Sequence, residues 1–216
     1  LRPGGFPAKL EGWRGKHKRT RIKTWGETLM KRAVFGALLG FFLSLPAVAQ
    51  TSHQARGEDP LASWLRNAYT TNRNYIAKSA EKVPEEFYNM RPGPQAEVRT
   101  FGQIIGHLAN FNYLWCAEAK GEPNPNEGND FEKVTAKADL VKALNGAQTY
   151  CDVVYAALTD ASGIEMIQVT RPNGQRNQLP RASRLILNYA HNNEHYGNLV
   201  TYMRIKGIVP PSSNQP

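Results

Sequence analysis

Acids, cysteines and histidines are scarce in this 216-residue chain at the places where particular chemistries would need them. No Asp or Glu follows Glu194, so the H-x-x-E-H string from His191 to His195 lacks the downstream acidic ligand of an inverzincin protease. Gln50, not a cysteine, stands immediately after the small-residue stretch Ala47-Val48-Ala49, which leaves a lipoprotein anchor without an attachment atom. The apolar run from Ala33 to Leu45 is too short for a comfortable membrane span, and Pro46 closes it. Excess positive charge is also missing from most of the chain. The net charge is +9, but residues 1–49 hold ten of the 27 Lys and Arg and only two of the 18 acids, which leaves seventeen bases against sixteen acids. A nucleic-acid partner therefore loses its electrostatic support.

What the leader does contain is ordered like an export signal. Met30 to Gln50 opens with Lys31 and Arg32, continues through the apolar run and ends at Ala47-Val48-Ala49. This is the n-region, h-region and cleavage site of a secretory signal peptide, expected over residues 30–49. Residues 1–29 carry no periodic apolar pattern and precede a convincing start at Met30, so they are expected to be a non-native, disordered extension. Residues 50–58 read as a flexible linker. The mature protein is expected to be exported, periplasmic or secreted, with no stable membrane span, in a compartment that permits a disulfide.

Beyond the linker the apolar pattern has helical period. Asp59-Pro60 offers an N-cap and a first-turn proline for a helix running to about Lys82, with Leu61, Trp64, Leu65, Ala68, Ile76 and Ala80 as its buried stripe. Pro84 ends it, and a connector rich in Pro and Gly leads to a second helix over residues 100–119. Residues 121–134 form a long loop or crossover, and a third helix is expected from Lys137 to Thr159. Met166–Thr170, the turn Arg171–Gly174 and Gln175–Leu179 read as a small hairpin. The last helix carries Leu185, Ile186, Tyr189, Leu199, Val200, Tyr202 and Met203 and stops before Gly207 and Pro210. The fold class is therefore all-α: a four-helix bundle over residues 59–211 with a β-hairpin before the last helix, then a tail at 212–216. A crossover would make helices two and three parallel and bring Cys116 and Cys151 to similar heights, which favours a bridge between them. An up-down-up-down order would separate them as two buried thiols.

Five histidines are present, and three, His107, His191 and His195, fall in the helical region. His191 and His195 stand four residues apart, about 400° of helix, so their imidazoles leave one face. Adding His107 from the second helix makes a three-imidazole site inside a bundle, with an open coordination position for a divalent ion. Zinc, nickel, iron and copper all suit imidazole. Glu194 is a candidate general base, or else a solvated carboxylate on the helix face. Asn110, Asn188 and Asn198 lie within a turn of the histidines, as ligand-binding groups or as polar bundle residues.

The string Gly102-Gln103-Ile104-Ile105-Gly106-His107-Leu108, together with His191, His195 and the following Tyr196-Gly197-Asn198-Leu199, resembles the DinB/YfiT-like superfamily of metal-binding four-helix bundles. The resemblance covers about Asp59 to Pro211. It implies an up-down-down-up order, a triad of His107, His191 and His195 on a divalent metal, often zinc or nickel, and frequent homodimers. Relatives include thiol S-transferases, an isomerase and hydrolases. Low-molecular-weight thiols are chiefly cytosolic, so export favours a metal-dependent hydrolase acting on a small-molecule substrate. A thiol S-transferase and a non-catalytic metal-binding or interaction protein stand beside it as alternatives.

Overall fold

The computed structural model describes residues 59–170 and 173–214. The expected extension, signal peptide and linker, the turn residues Arg171 and Pro172, and the last two tail residues lie outside the described residues. Four long helices run along the chain: α1 (Pro60–Lys82), α2 (Phe101–Lys120), α3 (Lys137–Ala157) and, after a single turn α4 (Asp160–Gly163), α5 (Arg181–Ile205). The antiparallel strands β1 (Met166–Thr170) and β2 (Arg176–Pro180) precede α5, with Met166 opposite Pro180 and Thr170 opposite Arg176. Ile167 and Val169 turn inward from β1 while its other residues face out.

Side-chain pairings set the direction of each helix. The start of α2 meets the start of α3, where a Cβ on Gly102 would lie 3.2 Å from Leu140. Their far ends are joined by a disulfide between Cys116 and Cys151, with Cα atoms 5.4 Å apart, so α2 and α3 are parallel. Along α1 and α5 the pairs Trp64 with Tyr189 and Tyr75 with Tyr196 advance together, so these two helices are also parallel. Tyr69 stacks on Tyr155 while Lys137 reaches the Glu81 and Val83 carbonyls, which sets α1 against α3. The order is up, down, down, up. The two larger packed clusters of the described residues lie around Ile76, Ile105, Leu108, Leu144 and Leu199, and around the disulfide, Tyr69, Tyr155 and Leu185.

Local details depart from the sequence pattern where tertiary partners intervene. The buried stripe of α1 runs through Ala62, Leu65, Tyr69, Asn72, Ile76, Ser79 and Ala80, whereas Leu61 and Trp64 face outward. The stripe keeps i, i+3 and i+4 spacing, so those two residues fall one step out of phase. Ile186 is exposed on α5 for the same reason. Asp59 does not cap its own helix. Its Oδ1 accepts the Asp160 N–H at 2.8 Å, and Asp160 in turn accepts the N–H groups of Leu61 and Ala62 at 3.3 and 2.7 Å. The two helix starts thus cap each other across the bundle. Thr159 belongs to the next turn, where it caps α4 by a reciprocal bond with Ser162, so α3 ends at Ala157. Residues 211–214 form a 3-10 turn held to α5 by Ser212 and the Tyr196 hydroxyl.

Close approach between α2 and the crossover decides where the crossover lies. A Cβ on Gly106 would stand 2.3 Å from the Phe131 carbonyl oxygen, so only glycine lets the 3-10 turn Phe131–Lys133 rest on the helix. Asn110 ties the same turn down: its Oδ1 accepts the Phe131 N–H at 3.1 Å and its Nδ2 donates to Asp130 at 2.9 Å. Replacing Gly106 by Ala is expected to cost about 1–3 kcal/mol, because the obstacle is backbone and cannot rotate away. Urea unfolding of the variant checks this, and an unchanged midpoint would contradict it.

Candidate metal centre

His107 comes from the second turn of α2, whose start is set by a capping box between Thr100 and Gln103. His191 and His195 come from the middle of α5, which runs antiparallel to α2, so the pair faces His107 across the bundle. His107 and His195 are buried and His191 is partly so. One nitrogen from each ring lies within 4.8 Å of the others. The His191 Nε2 is 3.0 Å from that of His107 and 3.1 Å from that of His195.

These distances suit a shared cation. Two ligands on a tetrahedral zinc, with Zn–N near 2.05 Å, stand about 3.3 Å apart. Hydrogen bonding alone accounts less well for the arrangement. His107 donates its Nδ1–H to Glu132 Oε1 at 2.6 Å, which leaves its Nε2 as a bare lone pair in the neutral ring. The single Nε2 of His191 cannot serve both neighbours with one proton. The opposite nitrogen of that ring, Nδ1, is buried without a partner among the described residues. A divalent ion among the three Nε2 atoms would accept all three lone pairs.

Glu132, on the crossover turn, is the carboxylate in hydrogen-bond contact with the cluster. Its Oε2 accepts from Arg99 Nε at 2.7 Å while Oε1 holds His107. Burial raises its pKa, but the bonds from Arg99 and His107 outweigh that and lower it overall. This carboxylate–histidine pair fixes the tautomer and orientation of a ligand ring. Sequence reasoning offered Glu194, as a general base or a solvated carboxylate on the helix face, and did not single out Glu132. Glu194 lies exposed on α5 and is not among the hydrogen-bonding neighbours of the histidines. Nothing local distinguished Glu132 among the acids of a long loop; its position follows from the seating of that loop on Gly106 and Asn110. Replacing Glu132 by Gln is expected to weaken zinc binding about 10–100-fold with little change in fold. Competition titration against a chelator reads this directly, and an unchanged affinity would remove Glu132 from the site.

The asparagines divide in two. Asn198 is exposed and pairs with His195 Nδ1 at 3.2 Å. Asn188 is fully buried in a network below the site: its Nδ2 and that of Asn192 donate to Asn112 Oδ1 at 2.8 and 3.0 Å, and Tyr155 donates to Asn188 Oδ1 at 2.9 Å. Asn112 and Asn192, absent from the sequence reading, thus tie α2 to α5 one turn from the histidines. Trp115 and Phe111 pack edges and faces against His191 and complete an apolar wall.

Burial, with smaller contributions from neighbouring imidazoles, lowers the pKa of His191 to about 3 and that of His195 to about 4 in the metal-free site. The unfolded imidazoles titrate at 6.5. Below that value the unfolded chain binds protons that the folded one excludes. The metal-free protein is therefore expected to be fully stabilised above about pH 6.5, and to lose stability as the pH falls towards the folded values. Urea midpoints in EDTA across this window check it. The slope should flatten in a His191→Ala, His195→Ala double variant, and an equal slope would assign the effect to other groups.

A cavity of about 310 Å³ opens beside His195, lined also by Arg99, Ile104, Asn198, Thr201 and Tyr202. A larger one, about 740 Å³, lies between α2, the crossover and β1, but has none of the three histidines in its wall.

The geometry defines a class: a four-helix bundle whose antiparallel second and last helices present three converging imidazoles that can hold a metal ion. The chain belongs to the DinB superfamily, whose family model matches residues 68–199. Solved structures agree on the fold. A DinB-like protein from Bacillus subtilis is 20% identical with a TM-score of 0.52, covering 67% of this chain and 92% of its own. One from Bacillus cereus is 18% identical with a TM-score of 0.53, covering 70% and 93%. A mycothiol-dependent maleylpyruvate isomerase, solved as a histidine-to-alanine mutant, is 12% identical with a TM-score of 0.50, covering 72% and 64%. No curated protein matches the chain in sequence.

Proposed function

We propose that this protein is an exported, metal-dependent hydrolase that holds a divalent ion, zinc or nickel, through His107, His191 and His195. The observation that carries the reading is the convergence of three Nε2 atoms beside an open cavity, with Glu132 orienting one of them. A divalent ion bound there supplies Lewis acidity for activating water or polarising a carbonyl. The chain's own groups do the rest: Glu132 holds His107, Phe111 and Trp115 keep water from one side of the rings, and the cavity beside His195 receives the substrate. Export is supported by the signal-like leader and by the Cys116–Cys151 disulfide, which suits an oxidising compartment. No described helix is long and apolar enough to cross a membrane.

A thiol S-transferase is the second reading, favoured by the likeness in fold to a mycothiol-dependent enzyme. The test is elemental mass spectrometry of the purified protein beside the His191→Ala, His195→Ala double variant, followed by parallel screens of ester and amide substrates with and without added thiol. About one equivalent of metal, lost in the variant, with thiol-independent hydrolysis is the expected result. Turnover only with thiol would move the assignment to the transferase. A protein that takes up neither zinc nor nickel would end both readings.

A further inference from the structure

One permanent positive charge beside the triad is only partly used by its neighbours. Arg99 sits at the end of the connector, immediately before the Thr100 cap of α2, and its side chain is 42% exposed. Its carbonyl accepts the Tyr202 hydroxyl, which anchors the backbone to α5. Its Nε donates to Glu132 Oε2 at 2.7 Å, which holds the guanidinium at one edge. Among the described residues its Nη atoms make no hydrogen bond. A guanidinium carries five N–H donors in a rigid plane, so a fixed Nε leaves the Nη pair oriented and available. Arg99 and His195 line the same small cavity, with Asn198 beside them and the apolar Ile104 in the wall.

The free donors of that wall, rather than its net charge, favour an oxyanion. Glu132, outside the lining, is shared between Arg99 and His107, and the carboxylate of the lining, Glu97, is exposed to water. We propose that Arg99 is a ligand-binding residue that takes an oxyanion, a carboxylate or a phosphate, so that the substrate is a small acid whose anionic end lies on Arg99 and whose reacting end lies beside the histidines. The anion site stands on Arg99 and the cavity; only the placement of the reacting end rests on the hydrolase reading. Bidentate pairing of guanidinium with an oxyanion gives both affinity and direction, which a bare metal face does not.

The test titrates succinate and, separately, inorganic phosphate into metal-free and zinc-loaded protein by calorimetry. It compares the natural protein, Arg99→Gln and Arg99→Lys, with zinc content measured for each. At least one anion is expected to bind the natural protein in both metal states. Arg99→Gln should weaken it about tenfold or more, and Arg99→Lys should restore part of the loss. Whichever anion binds names the oxyanion. Equal affinity in the natural protein and Arg99→Gln would overturn the proposal, because the anion would then sit on the metal or elsewhere; so would no binding of either anion. Should Arg99→Gln fail to fold, the side-chain ¹H–¹⁵N signal of Arg99 in the natural protein decides: a shift on adding the anion supports the site and a fixed signal overturns it. If the protein takes up neither zinc nor nickel yet binds the anion through Arg99, the hydrolase reading fails and the anion site stands. Stoichiometric zinc with Arg99-independent anion binding is the reverse.

Discussion

Replacing His191 by Ala is expected to weaken zinc binding by more than about 100-fold, beyond the range seen when an outer partner of a ligand is removed. His191 is the geometric centre of the cluster, since its Nε2 lies at hydrogen-bond distance, 3.0 and 3.1 Å, from both of the other two. Its Nδ1 makes no bond among the described residues, so the ring is not held there as part of a polar network. Removing it leaves two ligands on different helices. The loss is also visible as stability. A ligand at a thousand times its Kd stabilises a fold by about 4 kcal/mol, and a 100-fold weaker site cuts this gain to about 1.4 kcal/mol or less in the variant. Thermal unfolding with and without zinc measures it. Equal zinc-induced shifts in the natural protein and the variant would show that the metal binds elsewhere.

Reducing the Cys116–Cys151 bridge is expected to lower stability by about 4 kcal/mol. The two cysteines are 35 residues apart in sequence and wholly buried, and the loop between them contains the crossover and most of α3. Opening it returns that loop's freedom to the unfolded chain, while the native packing around two small buried thiols changes little. For a domain of this size the loss corresponds to about 8–16 °C in melting temperature. Urea and thermal unfolding with and without reductant test it, and coincident curves would mean that the cysteines are not bridged in solution. The bridge lies next to the Asn112–Asn188–Asn192 network, so it clamps α2 near the level from which the histidine helices are held together.

Much of the architecture was legible because it follows from local rules. The apolar period places a second helix over residues 100–119, Pro84 and Gly207 mark helix ends, and Leu140, Leu144, Ala147, Cys151 and Val154 of α3 are buried as their spacing requires. The pairing of His191 with His195 is likewise a property of one helix. α1 shows the limit of such rules, since its sequence offers two neighbouring stripes and Leu61 and Trp64 belong to the one left outside.

From sequence alone came the helical period, the shared face of His191 and His195, and the leader's resemblance to a signal peptide, all consequences of covalent order and of 3.6 residues per turn. Tertiary structure alone decided that Glu132 meets His107, that Arg99 stands at the cavity beside His195, and that Asp59 and Asp160 cap each other's helices. Each of these joins residues far apart in the chain through a backbone route, such as the seating of the crossover on Gly106, that no local preference encodes.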